Sequence, residues 1–228
     1  MLALLGSGEY LPAIDPIDSY LINQLPDPPR VVCLATAAGQ EGPASYNNWL
    51  QKGVDHFTRL GAQVTPLPVI DIDSAHNHDY ATIIRQANFV YLSGGHPGYL
   101  ATTLAQSPVW DAILSVHHAG GVVAGCSAGA MIMGTQIWGP GGQSAGFGLL
   151  PNTVIIPHFN EFPAMLARIM RLFQRSSLTM IGIDGYTALL VANGRYHTLG
   201  RHHVTIFNQT GSHKHPAGPI PANLFPSP

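Results

Sequence analysis

Short apolar runs, each closed by glycine or other small residues, recur along the first half of the chain: Leu2 to Leu5, Val31 to Leu34, Val64 to Leu67, Phe89 to Leu92 and Val122 to Ala124. Runs this short without polar alternation read as strands covered on both faces, as parallel strands are. Between them lie stretches with helical spacing, such as Tyr46 to Leu60 and Tyr80 to Ala87. Strand and helix therefore alternate, and the expected class is α/β with a doubly wound, mostly parallel sheet. Further on come the run Thr153 to Ile156, a helix over Ala164 to Gln174, and a strand pair at Thr187 to Val191 and Arg195 to Leu199. Ala192-Asn193-Gly194 between the last two is a hairpin signal, so a C-terminal β-hairpin is expected. One domain is expected over residues 1–208. From Gln209 the composition turns to Gly, Ser, His, Lys and Pro, and residues 209–228 read as a flexible tail.

Charge and cysteine content narrow the setting. With 228 residues, 46% of them hydrophobic, the chain can bury a large single core. A formal net charge of −2 gives no field to gather phosphate backbone or anionic lipid, so neither nucleic acid nor a membrane is an expected partner. Only 10% of residues are charged, which leaves room for a partner surface, a homodimer included. Cys33 and Cys126 lie inside apolar runs and make no disulfide framework, as expected of a cytoplasmic protein. The first apolar run stops at Gly6 and lacks a basic lead, so no export signal or anchor is read.

The strand Gly121-Val122-Val123-Ala124 runs directly into Gly125-Cys126-Ser127-Ala128-Gly129, and Ala130 to Met133 are compatible with a helix. That is the strand, sharp turn and helix in which a GxSxG motif exposes a nucleophile. Gly125 and Gly129 lack the Cβ atoms that would clash in such a bend, and the Ser127 hydroxyl is pushed into the open. The Ala128 amide would face a developing oxyanion. A small-residue turn that only packs a helix closely on the sheet would use the same glycines. Cys126 is an alternative nucleophile but reads better as a small buried residue.

Serine needs a positioned base. His158 follows the run Thr153 to Pro157, which would deliver its imidazole to the C-terminal edge of the sheet. The pairs His76 with His78, His117-His118, His202-His203 and His213 with His215 lack the spacing of a metal motif, and no metal or cofactor is expected.

GCSAGAM, Ile156-Pro157-His158-Phe159, Gly6-Ser7-Gly8-Glu9, Thr36-Ala37-Ala38 and Leu92-Ser93-Gly94-Gly95 resemble, in order and spacing, the dipeptidase E and cyanophycinase family of serine peptidases. The resemblance spans roughly residues 2 to 207. It implies a flavodoxin-like sheet of the class I glutamine amidotransferase type, and a serine hydrolase acting on small peptides or amides, with aspartyl residues among its substrates. Carried over by position, it implies Ser127 as nucleophile, His158 as general base, and Gly94, Gly95 and the Ala128 amide as the oxyanion region.

For the third catalytic member, the resemblance implies a glutamate where this chain has Gly185, in Gly182-Ile183-Asp184-Gly185-Tyr186-Thr187-Ala188. Asp184 is the neighbouring acid and is expected to orient His158, although adjacent strand residues point to opposite faces and the backbone would have to turn; a plain turn residue ahead of Gly185 is the equal alternative. Glu161 ranks below it, as the start of the following helix. The arginine that reads an aspartyl carboxylate in the dipeptidase falls near Met165. Arg168 and Arg171 are the nearest basic candidates for substrate binding, with solvated helix-face residues as the plainer alternative. His96 and Glu9 are further substrate-binding candidates at the rim. The expected function is hydrolysis through an acyl-enzyme on Ser127. The rival is a catalytically impaired relative that serves as a binding or assembly module, supported by the missing glutamate.

Overall fold

A computed structural model describes residues 1–139, 142–161 and 177–226. The five apolar runs of the first half form β1 (Leu2–Leu5), β2 (Arg30–Leu34), β3 (Gln63–Pro66), β4 (Phe89–Leu92) and β5 (Val122–Cys126). They lie parallel in the order β1-β5-β4-β2-β3. The antiparallel strands β10 (Thr187–Ala192), β11 (Arg195–Gly200) and β14 (Gly218–Ile220) extend the sheet beyond β1. The β10–β11 connection turns through Asn193 and Gly194 with φ of 50° and 70°, the left-handed pair that a tight hairpin requires.

Alternate residues of the parallel strands supply two cores, as the period of two dictates. Ala3 and Leu5 face one side, with Val31, Cys33, Phe89 and Tyr91, under α1 (Asp15–Asn23) and α2 (Pro43–Arg59). Leu2 and Leu4 face the other, with Val32, Leu34, Val90 and Leu92, under α3 (Ile72–Ala75), α4 (His78–Gln86), α5 (Pro97–Leu104) and α6 (Pro108–His118). Doubly wound α/β architecture is thus present as expected. Among the described residues no helix is long and apolar enough to cross a membrane.

A second sheet was not foreseen. Strands β6 (Gly134–Gly139), β7 (Gly142–Ala145), β8 (Leu150–Ile156), β9 (Thr179–Ile183), β12 (Val204–Asn208) and β13 (Gly211–His215) lie in the order β13-β12-β9-β8-β6-β7. One of its faces contributes Ile155, Ile181, Ile183 and Ile206 to the second core. Within the Gly-rich stretch, β7 is exposed along its whole length, so it carries no apolar alternation to read.

The expected flexible tail is also corrected. Residues 211–215 pair with β12, and 218–220 pair with β11. Ile220 and Phe225 are 5% and 7% exposed, and the Phe225 ring stacks on Tyr196 with centroids 3.5 Å apart. Two anchoring side chains and backbone pairing order a segment whose average composition is polar. The helix expected over 164–174 lies outside the described residues. Phe225→Ala should therefore lower the unfolding free energy by about 3 kcal/mol, read as a shifted urea midpoint at unchanged m-value; a loose tail would give no shift.

Candidate active site

Registry places the site. Leu5 of β1 stands beside Cys126 of β5, and Leu92 of β4 beside Gly125, so three strand ends finish together. The segments leaving them carry Ser7 and Glu9, Ser127, and Gly94 with Gly95, at the carboxyl edge where open α/β sheets gather ligands.

Ser127 has φ 49° and ψ −108°, a strained conformation between β5 and the short helix α7 (Ala128–Met131). The flanking glycines are required by space. A Cβ on Gly125 would lie 2.3 Å from the Gly129 carbonyl oxygen, and one on Gly129 would lie 2.4 Å from that of Leu92. The Ser127 amide is pinned to the Leu5 carbonyl at 3.0 Å, tying the bend to the central strand.

His158 leaves the end of β8 with φ 52°, its amide donating to the Gly6 carbonyl at 3.3 Å. Its Nε2 lies 3.0 Å from Ser127 Oγ, and its Nδ1 lies 2.7 Å from Glu161 Oε2. An ionised carboxylate only accepts, so Nδ1 carries the proton and donates to Glu161, leaving Nε2 to accept from the serine hydroxyl. Glu161 Oε1 accepts from the Ser7 hydroxyl at 2.6 Å. Burial pushes the Glu161 carboxyl up, but the hydrogen bonds from His158 and Ser7 outweigh it and hold the group below the usual carboxylate range.

Asp184, the acid expected beside the imidazole, is elsewhere. It is 5% exposed, and its Oδ2 accepts from the His203 amide at 3.2 Å, with His203 Nδ1 at 3.6 Å. The neighbouring residue, Gly185, faces the site instead. A Cβ there would lie 2.0 Å from Glu161 Oε1 and 2.8 Å from Ser7 Oγ. The glycine at 185 thus leaves the space that the Glu161 carboxylate fills. Residues 158–161 form a turn closed by the Glu161 amide on the His158 carbonyl at 2.8 Å, which folds the acid back under the imidazole. The available signal was an acid on the same turn as the histidine, His-Phe-Asn-Glu.

Of the three positions expected around the oxyanion, Gly94 departs. Its amide already donates to Glu9 Oε1 at 2.9 Å. The amides of Gly95 and Ala128 donate to no acceptor among the described residues. Gly95 has φ 141°, and a Cβ on it would lie 2.5 Å from the Ala37 carbonyl oxygen; the next amide, of His96, donates to that oxygen at 2.8 Å. The turn Thr36–Ala38 therefore backs this loop.

Glu9 binds protein groups: besides Gly94, its Oε2 accepts from Cys126 Sγ at 3.0 Å. It straps the loop after β1 to both the Gly94 loop and the elbow. Cys126 is fully buried, and burial followed by the Glu9 charge pushes its thiol far above the ordinary range, away from the thiolate form that a cysteine nucleophile uses. His96 caps α5, its Nδ1 accepting from the Tyr99 amide at 2.9 Å, and it lines a cleft of about 1050 Å³ together with Gly95. Arg168 and Arg171 lie outside the described residues. Among the described residues no three His, Cys, Asp or Glu side chains are grouped to hold a metal.

Comparison with known proteins gives a concordant set of likenesses. The profile of peptidase family S51 matches residues 2–199. A cyanophycinase from Geminocystis herdmanii (strain PCC 6308) is 27% identical over 167 residues, covering 67% of this chain and 61% of that protein. One from Trichormus variabilis (strain ATCC 29413 / PCC 7937) is 27% identical over 168 residues, covering 68% and 56%. The chain thus spans less than two thirds of the length of these curated relatives. The crystal structure of a peptidase from an acI-B1 Actinobacterium superposes with a TM-score of 0.87 at 35% identity, over 96% of this chain and 95% of that one.

The contact between residues 161 and 185 makes a direct prediction. Gly185→Ala should cost about 1–3 kcal/mol of stability, and Glu161→Ala should relieve most of that loss in the double variant. Urea denaturation of the four proteins reads the coupling, expected at about 1 kcal/mol or more; strict additivity would mean that the two positions do not compete for space.

Proposed function

The chain belongs to peptidase family S51, and on that footing we propose that it is a serine-type hydrolase of small peptides or amides working through an acyl-enzyme on Ser127. The observation that carries the reading is the continuous line Ser127 Oγ, His158 Nε2, His158 Nδ1, Glu161 Oε2, with links of 3.0 Å and 2.7 Å at its ends. Its roles follow from charge and geometry. Ser127 Oγ attacks the carbonyl carbon while its proton passes to His158 Nε2. The oxygen that gains the electron pair is held by the amides of Gly95 and Ala128. When the C–N bond breaks, the imidazolium returns that proton to the leaving nitrogen. Water, deprotonated by the same imidazole, then releases the acyl group from Ser127. Glu161 keeps Nδ1 protonated and balances the imidazolium charge, the part first expected of Asp184.

Each of these steps balances with the protein's own groups and water, so no cofactor is invoked. Free, buried Cys33 and Cys126 fit a reducing, cytoplasmic setting. A non-catalytic module drew its support from the missing acid at 185, and a carboxylate at His158 takes that support away.

A fluorophosphonate probe should label the wild-type protein and leave Ser127→Ala unlabelled. Glu161→Ala should lower kcat/KM by about 10³-fold, while Asp184→Asn should stay within about tenfold of wild type if it folds. Absence of labelling at any pH would favour the silent module.

A further inference from the structure

Resting on the proposed catalytic reading, the geometry points to a specificity beyond it: we infer that the residue whose carbonyl Ser127 attacks carries an uncharged, apolar side chain, received by the cleft beside Gly95. The side of the scissile bond follows from the machinery. With the carbonyl oxygen on the Gly95 and Ala128 amides, the leaving nitrogen must face His158 Nε2, which reprotonates it. The cleft is lined by Gly95 and His96 but by none of Ser127, Ala128, His158, Asn160 or Glu161. It adjoins the oxyanion donor Gly95 rather than the imidazole that meets the leaving nitrogen, and on that ground it is assigned to the acyl side.

Its chemistry is set by its walls. Ala101 and Ala105 come from α5 and the residue after it, Ile137 from β6, and Phe147 from the loop behind, the last stacked on Trp110 with centroids 3.8 Å apart. Such a surface gains by covering hydrocarbon. Among its described lining residues Glu41 is the only Asp, Glu, Lys or Arg, and its carboxylate already accepts from Ser45. A substrate carboxylate would lose water there without gaining a cationic partner among the described lining residues, and would face the like charge of Glu41. The Nδ1 of His96 is engaged as the cap of α5, accepting from the Tyr99 amide. At about 1050 Å³ the cleft has room for a side chain of aromatic size. An aspartyl residue is the one the resemblance implies, and the described walls of this cleft offer its carboxylate no Lys or Arg.

The test is kcat/KM for aminoacyl-p-nitroanilides with leucyl, phenylalanyl and aspartyl groups. The leucyl and phenylalanyl substrates should exceed the aspartyl one by tenfold or more; an aspartyl substrate as good or better overturns the inference. Thr102 lines the cleft from an exposed position on α5, so Thr102→Arg should fold normally and shift the ratio toward aspartyl by tenfold or more. An unchanged ratio in a variant that still takes the fluorophosphonate also overturns it. Calorimetry on Ser127→Ala with leucyl and aspartyl dipeptides separates this claim from catalysis. Tighter leucyl binding sustains the cleft even if no variant turns over, and tighter aspartyl binding sinks it even if catalysis stands.

Discussion

A carboxylate can stand behind His158 only because residue 185 has no side chain. Any Cβ there would overlap Glu161 Oε1, and from that vacancy the rest of the line follows. Glu161 is gripped by Ser7 on one oxygen and by the imidazole on the other. The imidazole is thereby fixed in one tautomer and turned so that its second nitrogen meets the serine. A hydrogen bond to a charged acceptor is stronger than a neutral one, and its direction is correspondingly better defined. The acid, the base and the hydroxyl belong to one mechanical unit, with Gly185 as the space it occupies.

The fold serves that unit from two sheets. The parallel sheet supplies Ser127 on a bend whose strain is borne by close backbone packing at Gly125 and Gly129. The second sheet supplies His158 from the end of β8, and the His158 and Phe159 amides reach back to the Gly6 and Ile183 carbonyls. Those two bonds stitch β1, β8 and β9 together at the reacting end. Glu9 makes a second strap, from the end of β1 across to the Gly94 loop and the Cys126 thiol. By engaging the Gly94 amide it leaves Gly95 as the loop's donor toward the cleft. Positions are thus set by backbone bonds to neighbouring strand ends, which is how residues far apart in sequence are held in register.

Much of this was legible in the chain alone. Parallel strands buried on both faces write themselves as apolar runs, as β1, β2, β4 and β5 do; β3, the half-exposed edge strand, was readable although it is not covered on both faces. The elbow was readable because its glycines answer a steric need, and His158 because it ends a strand. Asp184 misled, since sequence adjacency to position 185 says nothing of which face a side chain takes; it turned to His203. Glu161 was underrated because the turn that folds it back depends on contacts with Ser7 and Gly185, both remote in sequence. The second sheet was hidden for a related reason. Strands such as β7 and β13 are made by backbone pairing with partners that already face the core, and their own side chains carry little apolar pattern.

The central claim is that Ser127, activated through His158 and Glu161, becomes covalently acylated. It is tested most directly by fragment-resolved mass spectrometry of the protein acid-quenched while turning over p-nitrophenyl acetate. The account predicts an acetyl group on Ser127, absent when His158 is replaced by alanine. Acetyl on the neighbouring Cys126, or steady hydrolysis with no adduct on either residue, would contradict it.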